Sequence, residues 1–345
     1  MAEALQQLSP SLALRAAPWL TVGLFLGPLI AGTLGTLLPA FGWLPVLGGA
    51  RLTFEPWQAL FEQPGLQRAL RATLVSGVGS TVVAFGLTVL LFAAGHGTRP
   101  FRLARRAMTP LLAVPHVAIA VGLAFLIAPS GWLARLVSPG LTGWERPPDL
   151  VLVQDPLGLA LALGLLLKEL PFLVLMTFAA LGQVDADRRL QMARALGYGP
   201  VLAWLKVVLP LVYPQIRLPL FAVLAYALSV VDMALVLGPT TPPTLGPLVL
   251  RLFNDPNLDL RFAAAAGATL QMGIVVAGIA VWIGLEHAVG RIGRPWLTLG
   301  MRGGGGGMAG RLAGIALGGL FALALGAVLS LAIWSVSGPW TAPSL

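Results

Sequence analysis

The 345-residue chain contains no cysteine, which excludes disulfides and thiolate metal sites. Its histidines, His96, His116 and His287, are far apart and form no pair at helical ligand spacing, so no metal centre is expected. Lysine occurs only at Lys168 and Lys206, each directly after a leucine. A phosphate-gripping loop of the Walker type needs lysine directly after glycine, so that motif is excluded. No H-E-x-x-H or G-x-S-x-G string points to hydrolysis, and neither a cofactor nor enzymatic activity is expected. Charge is scarce as well: with 10% charged residues there is too little polar surface to cover a soluble globule of this length.

Apolar residues are abundant, at 57% of the chain, and the mean hydropathy is +0.87. Such a chain belongs in a bilayer, where each spanning helix takes about 20 mostly apolar residues. Only helices or closed barrels satisfy their backbone there, and the Leu/Ala/Val/Gly runs lack the period-two alternation of barrel strands. The expected fold is an all-α polytopic helix bundle with about seven spans, near 17–39, 72–95, 108–129, 157–182, 215–237, 263–285 and 311–334. The uncharged run from Arg15 to Arg51 is longer than a signal-peptide core and reads as a retained first helix.

The net charge of +9 sits in short loops and not in a stripe or tail, so membrane orientation explains it and nucleic acid is not an expected partner. Arg99, Arg102, Arg105 and Arg106 follow the second span with no acid between them. Residues 183–214 carry Arg188, Arg189, Arg194 and Lys206 against Asp185 and Asp187; residues 286–311 carry Arg291, Arg294, Arg302 and Arg311 against Glu286. On the other side, Arg135 and Arg146 meet Glu145, Asp149 and Asp155, while Arg251 and Arg261 meet Asp255 and Asp259. The positive-inside rule then predicts a cytoplasmic N-terminus. Trp19, Trp132, Trp282, Trp296 and Trp334 fall near span ends, as an interfacial belt requires.

One inside segment has unusual punctuation. A short amphipathic helix is predicted over 187–196, with Leu190, Ala193 and Leu196 as its apolar stripe; Gly197 supplies the turn and Pro200 opens the next helix. Pro210 and Pro214 are expected to redirect the chain into the fifth span. Inside the spans, Lys168, Glu169 and Asp232 are conspicuous, because exposing a charge to lipid costs about 2.5–3.5 kcal/mol on insertion scales. Each is a candidate either for lining a solute pathway or for pairing within the bundle. His116 and Gln271 are read as interhelical hydrogen-bonding groups.

The stretch QMARALGYGPVLAWLKVVLP, from Gln191 to Pro210, resembles the EAA loop of binding-protein-dependent ABC importer permeases. The matching positions are Gln191, Met192 and Ala193, then Gly197, Val207, Leu209 and Pro210, with every gap the family length; Gln191 and Met192 depart from the usual Glu and Ala. Asp232 through Leu245, with Leu237-Gly238-Pro239 and Pro243-Thr244-Leu245, is similar to the fused permeases of the thiamine and ferric-iron type. The resemblance covers roughly 66–285. It implies a MetI-like permease of the bacterial inner membrane, coupled through 187–210 to a separate ABC ATPase, with Ala193, Arg194 and Gly197 at that contact.

The same resemblance implies a periplasmic solute-binding protein and a second permease unit as partners, besides membrane lipid. Thiamine and ferric iron are the cargoes it points to. The domain reading is an N-terminal helix and outer loop at 1–65, a permease core at 66–289, a Gly-rich linker at 290–310, and at 311–345 a helix resembling the start of a second permease unit. Two other classes stay open: an ion-coupled secondary transporter using Glu169 or Asp232, and a membrane scaffold that moves no solute.

Overall fold

Long apolar runs interrupted by proline and glycine produce helices that start and stop where those residues dictate. The computed structural model describes residues 10–96, 98–303 and 307–337. Gly304, Gly305 and Gly306 of the glycine tract, with Trp340 and the other residues past 337, lie outside them. Seven described helices are long and apolar enough to cross a membrane: Arg15–Ala40, Leu66–Gly95, His116–Val137, Leu159–Leu181, Pro200–Ser229, Leu260–Thr298 and Gly307–Trp334. The fold is thus the expected helical, polytopic membrane bundle.

The chain divides into two compact units, one of residues up to Gln63 with Val249–Leu270, the other of Pro64–Leu248 with the chain from Gln271 onward. In the first, α1 (Pro10–Ala40) leads to a two-stranded hairpin, β1 (Trp43–Leu44) and β2 (Gly49–Ala50), then to α2 (Glu55–Phe61). Gly42 has φ +83°, where a Cβ would meet the Arg51 carbonyl at 2.9 Å, so glycine is required at the hairpin's start. Phe41 packs on Phe54 and Trp57, with ring centroids 5.7 and 6.0 Å apart. The apolar flank of α1 is bare: Trp19, Leu24 and Phe25 are each more than three-quarters exposed, as expected of a helix whose solvent is lipid.

The second unit holds α3 (Leu66–Gly95), α4 (Arg99–Ala113), α5 (His116–Ile127), α6 (Trp132–Val137) and α7 (Leu159–Leu181). It continues with α8 (Ala186–Ala195), α9 (Pro200–Ala203), a π-turn at Trp204–Val208, α10 (Leu209–Ser229) and α11 (Asp232–Leu237). Helices α12 (Leu245–Phe253) and α13 (Leu260–Thr298) each contain residues of both units, and α14 (Gly307–Trp334) belongs to the second. Small residues set the packing distances, because in lipid close backbone approach replaces the hydrophobic drive. A Cβ on Gly77 of α3 would sit 2.9 Å from the Ala227 carbonyl of α10, and one on Gly122 of α5 would run into the Ala327 backbone of α14. Ser330 of α14 donates to the Gly122 carbonyl at 3.3 Å, and Trp334 stacks on Phe125 at 4.7 Å.

Three boundaries differ from the expectation. The third apolar segment is broken at Val114-Pro115, because a residue before proline is driven out of the α region; Val114 is extended at ψ 130°. The fifth begins earlier than predicted, at Pro200. Pro210 and Pro214 do not interrupt the helix, which runs from α9 through the π-turn into α10. Proline lacks the N–H for an i−4 bond and crowds that carbonyl; the wider turn, in which Leu209 N–H reaches Trp204, gives it room. The sixth span's helix continues well past 285, to Thr298.

Candidate functional site

Two features of the second unit carry the sequence-predicted residues. The first is a cavity of about 420 Å³ among the spans, with His116, Lys168, Glu169, Phe172 and Tyr226 on its wall. Lys168 and Glu169 are neighbours on α7, about 100° apart around the helix, and both are 4% exposed. Lys168 is spoken for by the proline break. Stopping α4 at Ala113 orphans its last carbonyls, and the ammonium donates to Val114 O at 2.6 Å, Leu111 O at 2.9 Å and Leu112 O at 3.4 Å. A cation is favoured there, at the negative end of the helix dipole.

Glu169 turns the other way. Its Oε1 accepts from Ser80 of α3 at 3.2 Å, while Oε2 is buried with no hydrogen-bond partner among the described residues. A carboxylate oxygen left in that position is costly, so the wall carries an unmet demand for a donor or a cation. Across the cavity the His116 and Tyr226 rings lie 4.9 Å apart. Tyr226 donates to Asp232 at 3.4 Å. Asp232 is exposed and opens α11 after a break at Val230-Val231; it forms no ion pair with arginine among the described residues. Tyr226, which no sequence pattern singled out, is the residue that links Asp232 to the wall.

The segment that follows Asp232 is anchored rather than loose. Leu245 N–H donates to the Thr73 hydroxyl of α3 at 2.9 Å; before the break, Leu228 O of α10 accepts from Gln271 Nε2 at 3.2 Å.

The second feature is the segment from Ala186 to Pro210. Helix α8 ends in a Schellman motif: Tyr198 N–H bonds Ala193 O at 3.1 Å, Gly197 N–H bonds Arg194 O at 2.9 Å, and Gly197 takes φ +84°. Leu190 and Ala193 face inward, 3% and 4% exposed, in a core with Ala203, Trp204 and Val208. Ala193 is therefore covered by its own chain, unlike the surface position expected for it. The outward face carries Gln191, Met192, Arg194 and Leu196, all exposed, and Leu196 leaves the expected apolar stripe. Val207 and Leu209 are half-buried and Pro210 is exposed.

The segment is held at three points. Trp204 is fully buried and stacks on Phe92 of α3 at 6.0 Å. His96, just past α3, meets Asp187 of α8 at 2.8 Å. The end of α13 and the stretch after it form the third: Gly199 N–H donates to Arg302 O at 2.8 Å, Lys206 Nζ donates to Leu299 O at 2.6 Å, and the same ammonium lies 4.9 Å from the Trp296 ring. These residues, read from sequence as linker, brace the segment.

No family model matches the chain. A search of curated proteins finds similarity to the inner membrane ABC transporter permease protein YnjC of Escherichia coli strain K12, 32% identical over 265 residues. The match takes in 75% of this chain and 47% of the relative, so the chain spans about half that protein's length.

Proposed function

The chain is a homologue of the ABC-transporter permeases, and on that premise we propose that it is the multi-pass inner-membrane permease subunit of an ATP-driven importer. In this reading the outward face of α8, with Gln191, Met192, Arg194 and Leu196, meets a separate ABC ATPase. The observation that carries the proposal is mechanical. The Schellman turn at Gly197 locks α8 to α9, and α9 runs without interruption through the π-turn into the spanning helix α10. Force on α8 is delivered to a span and not dissipated in a loop. Coupling then requires only that ATP favour one conformation over the other.

The solute route in this proposal passes the cavity bounded by Glu169, His116 and Tyr226, and Asp232 joins it through its hydrogen bond with Tyr226. Two acidic side chains, Glu169 on the wall and Asp232 beside Tyr226, against one lysine already occupied by helix carbonyls, favour a cationic cargo; the resemblance to thiamine and ferric-iron permeases points the same way. A periplasmic binding protein delivers the solute, and a second permease unit completes the membrane domain.

The absence of native cysteine makes a clean test available. Met192→Cys in native membranes is expected to crosslink to an ATP-binding chain, while Val46→Cys, also exposed, is not. Equal crosslinking at both, or none at Met192, removes the ATPase contact. Uptake driven by an ion gradient without ATP assigns the chain instead to secondary transport through Glu169 or Asp232.

A further inference from the structure

We propose that the basic cavity between α10 and α13 binds the phosphate headgroup of an anionic membrane phospholipid. The cavity, of about 520 Å³, is lined by Tyr213 and Arg217 of α10 and by Glu286, His287, Arg291 and Arg294 of α13. Nothing in the sequence joins these two groups; the packing does. His287, Arg291 and Arg294 follow at i, i+4 and i+7, and so share one helix face.

The only acid on this lining is consumed locally. Tyr213 Oη donates to Glu286 Oε1 at 2.5 Å, Trp282 Nε1 donates to Tyr213 at 2.9 Å, and Arg217 Nε lies 3.3 Å from Glu286 Oε2. His287 Nδ1 is held by the Ile283 carbonyl at 2.7 Å, which leaves Nε2 outward. Arg291 and Arg294 are exposed and have no acidic partner among the described residues. The cavity thus has unneutralised positive charge, donors from two helices, and a volume in the range that takes a small ligand. The complementary chemistry is a phosphate.

A lipid is favoured over a soluble phosphate by what surrounds the cavity. It opens where α13 first becomes charged, after the uncharged run 262–285, at the level a headgroup layer occupies. On the far side of the same helix stretch Leu285, Val289 and Ile292 are 57%, 68% and 76% exposed. A helix that is apolar on one flank and basic on the other lies in a membrane interface. Phe221, one turn further into the apolar run, has its ring 5.3 Å from the Arg217 guanidinium carbon and offers an apolar shoulder for an acyl chain. A free anion has no use for either apolar flank.

The test uses the full-length protein in mixed micelles with equal amounts of phosphatidylglycerol and phosphatidylcholine, and reads retained lipid by native mass spectrometry. An arginine near an anionic headgroup is worth roughly fivefold, so phosphatidylglycerol is expected to be enriched roughly tenfold or more. Arg291→Gln with Arg294→Gln should reduce that to about twofold or less, while Arg311→Gln, outside the cavity, leaves it unchanged. Equal retention of the two lipids by the unaltered protein overturns the proposal, and this comparison needs no variant to fold. Unchanged enrichment in the double variant overturns it too. Displacement of the lipid by excess inorganic phosphate assigns the cavity to a soluble anion instead.

Discussion

Lys168 and Glu169 are adjacent in sequence and have opposite situations. The lysine is a structural cap: three carbonyls released by Pro115 converge on its ammonium. Lys168→Met should therefore lower stability by about 3 kcal/mol, since hydrogen bonds to a charged group are each worth more than neutral ones and the carbonyls stay buried. Thermal unfolding in detergent reads this directly. Glu169 has one oxygen held by Ser80 and one without a donor. Glu169→Gln keeps the shape and a hydrogen bond to Ser80 but removes the group that can ionise against a bound cation. Expression should be unchanged and uptake of a cationic solute should fall by about tenfold or more, which corresponds to losing one charge-assisted contact. Uptake at the unaltered level would make Glu169 a packing residue.

At the scale of elements, the joint between α8 and α9 turns on one left-handed residue. Gly197 lies at φ +84°, and a Cβ there would meet the Arg302 side chain only at ordinary contact distance, so conformation and not crowding calls for glycine. Gly197→Ala should cost about 1 kcal/mol from the left-handed conformation alone. Gly197→Asp adds a charge on the proposed ATPase face; membrane insertion should survive while ATP hydrolysis and transport part company. Measuring both rates on the same reconstituted sample checks it, and normal uptake refutes the assignment. The crossing of α5 and α14 is tight for a different reason. Gly122→Leu forces the Ala327 backbone away, and overpacking of that kind is expected to cost about 1–3 kcal/mol or more, seen as loss of folded protein on extraction.

At the scale of the whole molecule, the loop charges predict orientation. Single cysteines at Met192 and Trp144 should be labelled by a membrane-impermeant maleimide from opposite sides, with Met192 reached from the cytoplasm. Labelling of Met192 in intact cells would invert the topology and end the proposed contact with an ATPase. The glycine tract leads into α14, whose close approach to α5 lies within the second compact unit. The resemblance of residues 311–345 to the start of another permease unit describes sequence, and the packing describes what this helix does in the chain.

Hydropathy is a sum over neighbours along the chain, so the number and type of the spans, and their extent apart from three boundaries, were legible from local hydropathy. So were the glycine and proline punctuation of α8 and α9, because a left-handed cap and an N-terminal proline are local requirements. Other features were not local. Lys168 finds its carbonyls more than fifty positions back, Tyr226 joins Asp232 to the cavity only across a helix break, and the 299–303 stretch braces Lys206 and Gly199 from far downstream. Which face of α8 is covered depends on Trp204 and Phe92 meeting beneath it. A buried charge or carbonyl must find a partner, and which partner is decided by the helices that happen to lie beside it in the fold.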